Sequence, residues 1–309
     1  MRYFFVVNGR ADKAGLLDEV NRQIAELNRD LEARGDTVHV YLTKSEGDAT
    51  RKVRLECDMN PKDKVCFVAC GGDGTINEVA SGLMKFEDRS KAVPFPNKSL
   101  AVLAIYGNCD FAKYYPECRF DSVRDIVFGS EKLIDIIKVN DSFSINVCNI
   151  GFDAMVCDYA NNFEGKNAFR KAIAVSMLFG RYHSIKITAD DEKKPLGRFL
   201  TLCSVANCKY VGGEFLCAPL AKNDDGLMDV CLIRPLTIFG LLCVLIKYRK
   251  GMHISNHNVV YRKAKHLKVE AKHLIPLALD GEVLQGSSFD IEVLPSAISL
   301  RMPQAISDK

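Results

Sequence analysis

Residues 71–75, with the sequence Gly-Gly-Asp-Gly-Thr, combine residue types that could bind a phosphate. They follow the apolar run 65–70 and precede residues 76–83, which have helical spacing. Backbone N–H groups of a glycine-rich turn at a helix N-terminus attract anions. Asp73 places a carboxylate in the same turn, so a cation or a positioned donor must separate it from a phosphate. The loop predicts nucleotide phosphates with Mg²⁺, and hence phosphoryl transfer, over an ordinary glycine turn capped by Asp.

Three further acidic segments could contribute to such a site. Asp110 follows the apolar run 100–105 and should therefore lie beside the glycine loop. Asp225 belongs to a carboxylate-rich turn that would suit a hard cation, since Mg²⁺ prefers oxygen ligands. An Asp-Gly hairpin turn explains that spacing equally well. The segment 280–282, Asp-Gly-Glu, is on spacing alone another hairpin turn.

The first part of the chain alternates strand-like and helix-like patterns, which predicts a parallel sheet with helices outside it. In such sheets ligands bind at the carboxyl ends of the strands, where the glycine loop lies. The predicted strands are 3–7, 37–43, 65–70 and 100–105, and the predicted helices are 16–31, 49–59 and 76–83.

Beyond about residue 128, strand-like runs follow one another with few helices between them, which predicts an antiparallel sandwich. The fold class is thus an N-terminal α/β nucleotide-binding domain followed by an antiparallel β-sandwich domain. The predicted strands are 134–139, 143–150, 184–189, 198–206, 214–219, 227–233, 258–262, 266–271, 275–279 and 289–294, and the predicted helices are about 166–181 and 236–250.

The second of these helices is nearly apolar all round from 236 to 246 and then carries Lys247, Arg249 and Lys250. It is too short to span a bilayer. It could lie in a membrane interface, with its basic residues at the headgroups. Burial on the sandwich, with a cationic last turn that matches the helix dipole, is the favoured interpretation.

Composition narrows the class of protein. The 309 residues carry 42 basic and 39 acidic side chains, a net charge of +3, which argues against nucleic acid and permits weak attraction to an anionic membrane. Of the 12 cysteines, those at 66, 70, 203, 217 and 231 lie in apolar runs, and no signal peptide is predicted. A reducing cytoplasm is therefore expected, with peripheral association with the membrane as a further option. His253 and His257, four residues apart without a third ligand, are expected at the surface.

Taken together, the motifs resemble the bacterial lipid kinase family that shares its catalytic domain with diacylglycerol and sphingosine kinases. Any one motif is weak, but their order along most of the chain is specific. They are Val7-Asn8, Thr43, 47–49, 71–82, 110–112, Ile134-Asp135, 149–154, Gly212-Gly213, Ala218-Pro219, 225–230 and 280–282.

The resemblance implies roles for individual residues. An acidic network near the catalytic Mg²⁺ would comprise Asp73, Asp110 and Asp135, and Glu282 would be the base for a lipid hydroxyl. A structural Mg²⁺ would be held by Asp225 and by the carbonyls of Lys222 and Leu227. ATP would be held by Asn8, Thr43, Gly71, Gly72, Asp73, Gly74, Thr75, Ile76 and Asn77, with Gly107 in the next loop.

The chain also departs from the family pattern. After the fourth strand the usual Gly, Thr and Asn are Tyr106, Gly107 and Cys109, and the early Asn-Pro is Asn8-Gly9. Tyr106 could narrow the nucleotide pocket, and the hydroxyl and amide that would contact phosphates are gone. An altered nucleotide preference or a weakened enzyme is therefore a second interpretation.

The resemblance implies an ATP- and Mg²⁺-dependent kinase whose acceptor is a diacylglycerol-like lipid hydroxyl at the membrane surface. The alternatives are a non-catalytic nucleotide- or lipid-binding regulator and another kinase with this glycine loop, such as an NAD kinase. A homodimer is an open option. The expected nucleotide domain covers 1–128, with about 296–309 returning to it, and the expected lipid-substrate domain covers 129–295.

Overall fold

The computed structural model describes residues 1–10, 15–88, 91–105, 109–162, 171, 173, 175–176, 184–190 and 192–305. The chain divides into two compact units. Unit 1 comprises Met1–Ile134 and the segment from Ser296 onward, and unit 2 comprises Asp135–Pro295. Most of the helix predicted at 166–181 lies outside the described residues.

Unit 1 is built on a parallel sheet whose strands lie in the order β2-β1-β3-β6-β17. These strands are β1 (Arg2–Val7), β2 (Thr37–Leu42), β3 (Val65–Cys70), β6 (Lys98–Leu103) and the C-terminal part of β17 (Glu282–Met302). Both β3 and β6 are buried along their whole length, as expected for strands covered on both faces. The pairing Leu300↔Leu100 joins the last strand to β6.

Helices connect these strands, so the alternating pattern predicted for this part of the chain is confirmed. They are α1 (Leu16–Glu26), α2 (Asn28–Ala33), α3 (Asp48–Met59), α4 (Asp73–Gly82), α5 (Asp110–Lys113) and α6 (Val123–Val127), with a small hairpin of β4 (Met84–Phe86) and β5 (Ala92–Pro94). Apolar side chains of α1 pack on alternate residues of β1 and β3 in one core cluster. The helix predicted over 16–31 ends early, because the chain makes a new start at Asn28.

Unit 2 is an antiparallel β-sandwich. Its strands pair in the order β15-β14-β11-β9-β16-β17, with β10 also beside β16 and β7 beside β17 and β8. The bounds are β7 (Ser130–Val139), β8 (Ser142–Ser144), β9 (Val147–Gly151), β10 (Ile185–Ala189), β11 (Leu202–Ala206), β12 (Tyr210–Val211), β13 (Phe215–Leu216), β14 (Met228–Ile233), β15 (Val259–Ala264) and β16 (His266–Leu279). The fold class predicted from the pattern of elements is confirmed.

The side chains of β14 illustrate how the sheet of unit 2 is covered on both faces. Val230 and Leu232 belong to one apolar cluster, and Cys231 and Ile233 belong to another. This alternation follows from the two-residue period of a strand. The second cluster lies under two helices, α7 (Phe152–Asn162) and α8 (Ile238–Arg249).

Several features of unit 2 differ from the predictions. The strand predicted over 143–150 is interrupted and forms β8 and β9. The runs 266–271 and 275–279 form one strand, β16, whose pairing register shifts between Glu270 and Ile275. Helix α7 was not predicted, because its short apolar pattern follows β9 without a break. The surface position expected for His253 is wrong, since its side chain is fully buried, whereas His257 is exposed.

The burial that the favoured interpretation predicted for helix α8 applies to only one of its faces. One face of it is buried, but the opposite face leaves large apolar side chains in solvent. Within the described part of the chain, no helix has both the length and the hydropathy needed to cross a bilayer.

Candidate active site

The glycine loop joins β3 to the first turn of α4, as predicted. Gly72 is the N-cap residue of α4 and has an extended backbone, and the loop begins with a hydrogen bond from Gly71 N to Leu103 O at 3.3 Å. A Cβ on Gly71 would lie 2.6 Å from Thr75 Oγ1, so only glycine fits there. At Gly72 and Gly74 an added Cβ would meet no atom within 4 Å. The loop is therefore closely packed at Gly71 and open at Gly72 and Gly74, so a ligand can reach its backbone there.

Asn8 and Thr43 lie beside this loop at the carboxyl ends of neighbouring strands. The Asn8 side chain donates from Nδ2 to Thr75 Oγ1 at 2.8 Å. The Thr43 hydroxyl accepts a hydrogen bond from Gly9 N at 3.1 Å. A Cβ on Gly9 would lie 2.2 Å from Thr43 O, so the glycine that replaces the usual proline is required by this close approach. The structure thus places Asn8 against the glycine loop and Thr43 against the neighbouring Gly9.

The Asp73 carboxylate binds the N-terminus of α5. It accepts hydrogen bonds from Asp110 N and Phe111 N, both at 2.9 Å, and from Cys109 Sγ at 3.5 Å. Burial raises the pKa of the Asp73 carboxyl group above its ordinary value, and the two backbone hydrogen bonds oppose that shift. Asp73 therefore fixes the loop after β6 against the loop after β3, a contact that the sequence did not reveal.

Contacts of both its backbone N–H and its side chain hold Asp110 in place. Its side chain is buried, and Oδ1 lies 3.0 Å from Lys113 Nζ, one turn further along α5. Cys109, which replaces the family's usual Asn, caps α5 because its sulfur accepts from Ala112 N at 3.4 Å. The remaining departures, Tyr106 and Gly107, lie outside the described residues.

Asp135 belongs to unit 2, where it lies against the acidic turn before β14. Its Oδ2 accepts from Gly226 N at 2.7 Å, and its backbone N–H donates to Asn223 O at 2.7 Å. Asn207 Nδ2 donates to Asp135 O at 2.8 Å. The side chain of Asp135 is buried, and it fixes the conformation of the segment that contains Lys222, Asp225 and Leu227.

The predicted structural metal site holds an ammonium group. Lys263, from β15, forms ion pairs with Asp225 and, at 3.4 Å, with Asp229. Asp229 also accepts from Tyr261 Oη at 2.9 Å, and burial raises its pKa above the usual value. The Asp225 Oδ1 atom accepts from Leu227 N at 3.1 Å. A cation bound by Asp225 would have to displace Lys263, so these residues do not fit Mg²⁺ as they stand.

Glu282 is the first residue of β17 and directly follows a two-residue hairpin turn. Asp280 and Gly281 both have positive φ, 48° and 96°, as a tight hairpin requires. The Asp280 carboxylate accepts from Ser144 Oγ at 2.9 Å and from the backbone N–H groups of 145, 146 and 147 at 2.9, 3.2 and 2.8 Å. Asp280 thus fixes the turn that positions Glu282, a role that the Asp-Gly-Glu spacing alone did not show.

No three His, Cys, Asp or Glu side chains within the described ranges are grouped so that they could hold a metal ion. Mg²⁺ in phosphoryl-transfer sites commonly uses one or two carboxylates together with the substrate phosphates. Asp110, buried at the start of α5 beside the glycine loop, has the donor chemistry for that arrangement.

Comparison with known proteins decides the family. The diacylglycerol kinase catalytic domain matches residues 2–105, and the YegS C-terminal NAD kinase beta sandwich-like domain matches residues 146–302. The chain belongs to the YegS-like lipid kinase family. The resemblance read from the sequence motifs is therefore confirmed.

Individual relatives agree with this assignment. A probable lipid kinase YegS-like protein of Serratia proteamaculans is 30% identical over 96% of this chain and 93% of the relative. A diacylglycerol kinase of Bacillus subtilis is 26% identical over 84% of each chain. The crystal structure of a diacylglycerol kinase from Bacillus anthracis covers 99% of this chain and 98% of its own, with 21% identity and a TM-score of 0.67, and shares the fold.

Proposed function

We propose that this member of the lipid kinase family transfers the γ-phosphate of ATP to the hydroxyl of a diacylglycerol-like lipid in a Mg²⁺-dependent reaction. The observation that carries the proposal is the bond between the Asp73 carboxylate and the N-terminus of α5. It joins the phosphate-binding turn to a second buried carboxylate, Asp110, at the edge of the sheet where ligands of α/β folds bind.

ATP phosphates fit the glycine loop. The open backbone at Gly72 and Gly74 lets N–H groups approach an oxyanion, and the ten-residue helix α4 adds the partial positive charge of its N-terminus. Asn8 supports the loop directly and Thr43 fixes Gly9 beside Asn8, so the shape of the loop is set before the nucleotide binds. This preorganisation lowers the entropic cost of holding the phosphates in line for transfer.

The carboxylates divide into a metal-binding and a positioning role. Asp110 would hold Mg²⁺, which offsets negative charge on the transferring phosphoryl group when it is bound. The family resemblance implies that Asp135 belongs to the same acidic network. Asp73 uses both of its carboxylate oxygens on backbone N–H groups, so it acts by positioning Asp110. Asp225 and the carbonyls of Lys222 and Leu227 have no part in this proposal, because Lys263 supplies the cation there.

Glu282 would act on the acceptor lipid. A carboxylate at that position can orient the hydroxyl and take its proton as the new bond to phosphorus forms. Because the transition state of phosphoryl transfer is loose, orientation contributes more than basicity. The diacylglycerol-like acceptor is supported by the name of the Bacillus subtilis relative.

Turnover of radiolabelled γ-phosphate tests the proposal. The purified chain is incubated with labelled ATP, Mg²⁺ and either total lipid extract or diacylglycerol in mixed micelles, and labelled lipids are identified by mass spectrometry. We expect one labelled lipid that disappears with EDTA and in Asp110→Asn. Nucleotide binding without any lipid product would instead favour a non-catalytic regulator, and labelled NADP from NAD would favour an NAD kinase.

GTP in place of ATP extends the same assay. The loop after β6 carries Tyr106 and Cys109 where the family has Gly and Asn. Equal or faster turnover with GTP would show that these departures changed the nucleotide preference, and the proposed donor would then be wrong.

A further inference from the structure

Helix α8 has two opposite faces that are both apolar. Leu241, Val244 and Tyr248 are buried in the apolar cluster beneath the helix. Tyr248 Oη lies 2.6 Å from Ser204 Oγ, and the ring of His253 packs on Tyr248 with centroids 4.5 Å apart. These contacts fix the orientation of α8 on unit 2, so the residues of its other face are held outward.

The outward face carries three large apolar side chains at positions i, i+3 and i+7. Phe239 is 77% exposed, Leu242 is 44% exposed and Ile246 is 68% exposed. At about 100° per residue they share a stripe opposite the buried residues. Cys243, the one exposed cysteine of the 12, lies on the same stripe. A contiguous apolar surface of this kind marks a site of association with a protein or a membrane.

Basic side chains border this stripe. Lys247 and Arg249 fall on its two sides at the C-terminal end, and Lys250 directly follows the helix. Arg249 pairs with Glu214 at 2.6 Å, whereas no acidic side chain in the described part of the chain is paired with Lys247 or Lys250. The helix and the residue after it, 238–250, contain three basic side chains and no Asp or Glu.

We propose that the outward face of α8, Phe239, Leu242, Cys243 and Ile246 with Lys247 and Lys250, docks this protein on an anionic lipid bilayer. The apolar side chains would enter the boundary between headgroups and acyl chains, while the ammonium groups reach anionic headgroups. The inference rests on the proposed function only in that a kinase acting on a membrane lipid must reach the bilayer.

Length and charge select this partner. The twelve residues of α8 extend about 18 Å, less than the roughly 30 Å of the hydrocarbon core, so the helix suits the plane of the interface. A second copy of this chain on the same face would set Lys247 and Lys250 against a helix that carries no Asp or Glu to pair with them. An anionic surface attracts them, at about fivefold in binding per lysine.

Vesicle flotation with the full chain tests the docking surface. We expect the protein to float with phosphatidylcholine vesicles that contain phosphatidylglycerol, and more weakly with phosphatidylcholine alone. The variant Phe239→Gln/Ile246→Gln should partition roughly 100-fold less, about tenfold per side chain. Lys247→Gln/Lys250→Gln should lose about 25-fold on the anionic vesicles and little on the neutral ones.

The matched control is Phe199→Gln/Leu274→Gln, which removes two large apolar side chains of unit 2 that are 58% and 72% exposed. It should bind vesicles as the wild type does. Equal binding of the two double variants would overturn the proposal, and so would a wild type that floats with neither vesicle. Thermal unfolding of each variant checks folding, and since all the changed side chains are exposed, their melting temperatures should match.

A fluorophore on Cys243 gives an independent readout. An environment-sensitive label there should shift to shorter wavelength when anionic vesicles are added, and the signal from an identically treated Cys243→Ser variant supplies the background. An unshifted label on vesicle-bound protein would show that another surface makes the contact. Sedimentation velocity that finds a dimer dispersed by Phe239→Gln/Ile246→Gln would assign the face to a second copy instead.

Turnover separates this inference from the proposed function. With a water-soluble short-chain diacylglycerol, Phe239→Gln/Ile246→Gln should retain the wild-type rate, and with lipid embedded in anionic vesicles it should be slower by about the same factor as its binding. If the wild type phosphorylates no lipid, the proposed function is wrong. The flotation experiment still decides whether α8 binds vesicles. If all rates match on vesicles, the docking surface fails while the kinase stands.

Discussion

In unit 1, two backbone N–H groups bind the Asp73 carboxylate, whereas in unit 2 one ammonium group, Lys263 Nζ, contacts both Asp225 and Asp229. Backbone donors fix a carboxylate without cancelling its charge, and they keep the site negative for a cation brought by a substrate. An ammonium cancels one of two negative charges and links β15 to the turn before β14. Two acidic motifs that look alike in the sequence thus differ in what they can do. The motif with Asp73 remains able to attract a cation for catalysis, whereas the motif with Asp225 and Asp229 stabilises the fold through Lys263.

Removing one charge from each region should separate them most strongly. Asp73→Asn leaves only one acceptor oxygen for two backbone donors and frees the N-terminus of α5. We expect turnover to fall at least ~100-fold, because the misplacement of a catalytic group by about 1 Å can cost that much. Steady-state kinetics at saturating Mg²⁺ provides the measurement. Asp225→Asn is the matched control and should stay near the wild-type rate; equal losses in the two variants would erase the distinction between the regions.

Glu282 tests whether unit 2 also takes part in chemistry. We expect Glu282→Gln to lower the turnover rate at least about 100-fold with unaltered ATP affinity, because a positioned acid or base contributes about 10²–10⁴-fold. Calorimetry with nucleotide and lipid phosphorylation on the same preparation separate the two quantities.

Asp280→Asn is the companion variant of this test. It weakens the four hydrogen bonds that fix the turn before Glu282, so it should lower turnover and the melting temperature together. A Glu282→Gln enzyme that loses ATP affinity but keeps its rate would contradict the assignment to the acceptor.

Lys263→Met should affect stability and not turnover. The substitution leaves buried Asp229 and its neighbour Asp225 without their cation, which costs about 2 kcal/mol of unfolding free energy. Chemical denaturation measures the loss of unfolding free energy. The control is Lys265→Met, which changes a lysine just beyond the end of β15. Added Mg²⁺ should raise the melting temperature of Lys263→Met more than that of the wild type if the carboxylates accept a metal once the ammonium is gone. A Mg²⁺-dependent wild type would mean that the metal already displaces Lys263.

Mild acid should destabilise unit 2 through His253. Burial lowers the pKa of this imidazole from 6.5 to about 4, so between those values the unfolded chain binds more protons than the folded one. The stability that the neutral ring contributes is complete above pH 6.5 and is lost as the pH falls. We expect a loss of about 1–2 kcal/mol between pH 7 and pH 5.

Burial raises the pKa of the Asp73 carboxyl group, so this group acts in the opposite direction, since the folded chain binds its proton more readily than the unfolded chain. Denaturation curves at several pH values, compared with His253→Phe, measure the difference. His257→Gln, at an exposed site, should keep the wild-type pH dependence. A His253→Phe protein with an unchanged pH profile would remove His253 from the account.

Local pattern predicted the four strands β1, β2, β3 and β6 and the longer helices of unit 1, because the runs 3–7, 65–70 and 100–105 are apolar and are separated by helical spacing. It also placed the glycine loop correctly between β3 and α4. The short elements β4, β5, α5 and α6 were not predicted. Contacts between segments far apart in sequence could not be read in this way. The hydrogen bond from Asp110 N to Asp73 joins residues 37 apart in the sequence, and the ion pair of Lys263 with Asp225 joins residues 38 apart. Both contacts therefore depend on how distant segments of the chain are brought together.

The same limit explains the errors in unit 2. His253 has an ordinary polar context in sequence, and its burial follows from packing on Tyr248. The residues Lys272 and His273 interrupt the apolar alternation of β16, so one bulged strand was predicted as two. For α8, an apolar pattern all round favours burial, but it cannot say that only one side of the helix meets the sheet.

The connectivity of unit 1 has a consequence for how the protein is made. Its strand after β6 is the C-terminal part of β17, and Arg301 there donates to Ile126 O and Val127 O, each at 2.7 Å. During synthesis on the ribosome, residues 1–134 emerge first but must wait with an open edge on β6 until all of 135–295 has been translated. A nascent chain stalled before residue 296 would present that unpaired edge to chaperones, to proteases or to a neighbouring chain on the same messenger RNA.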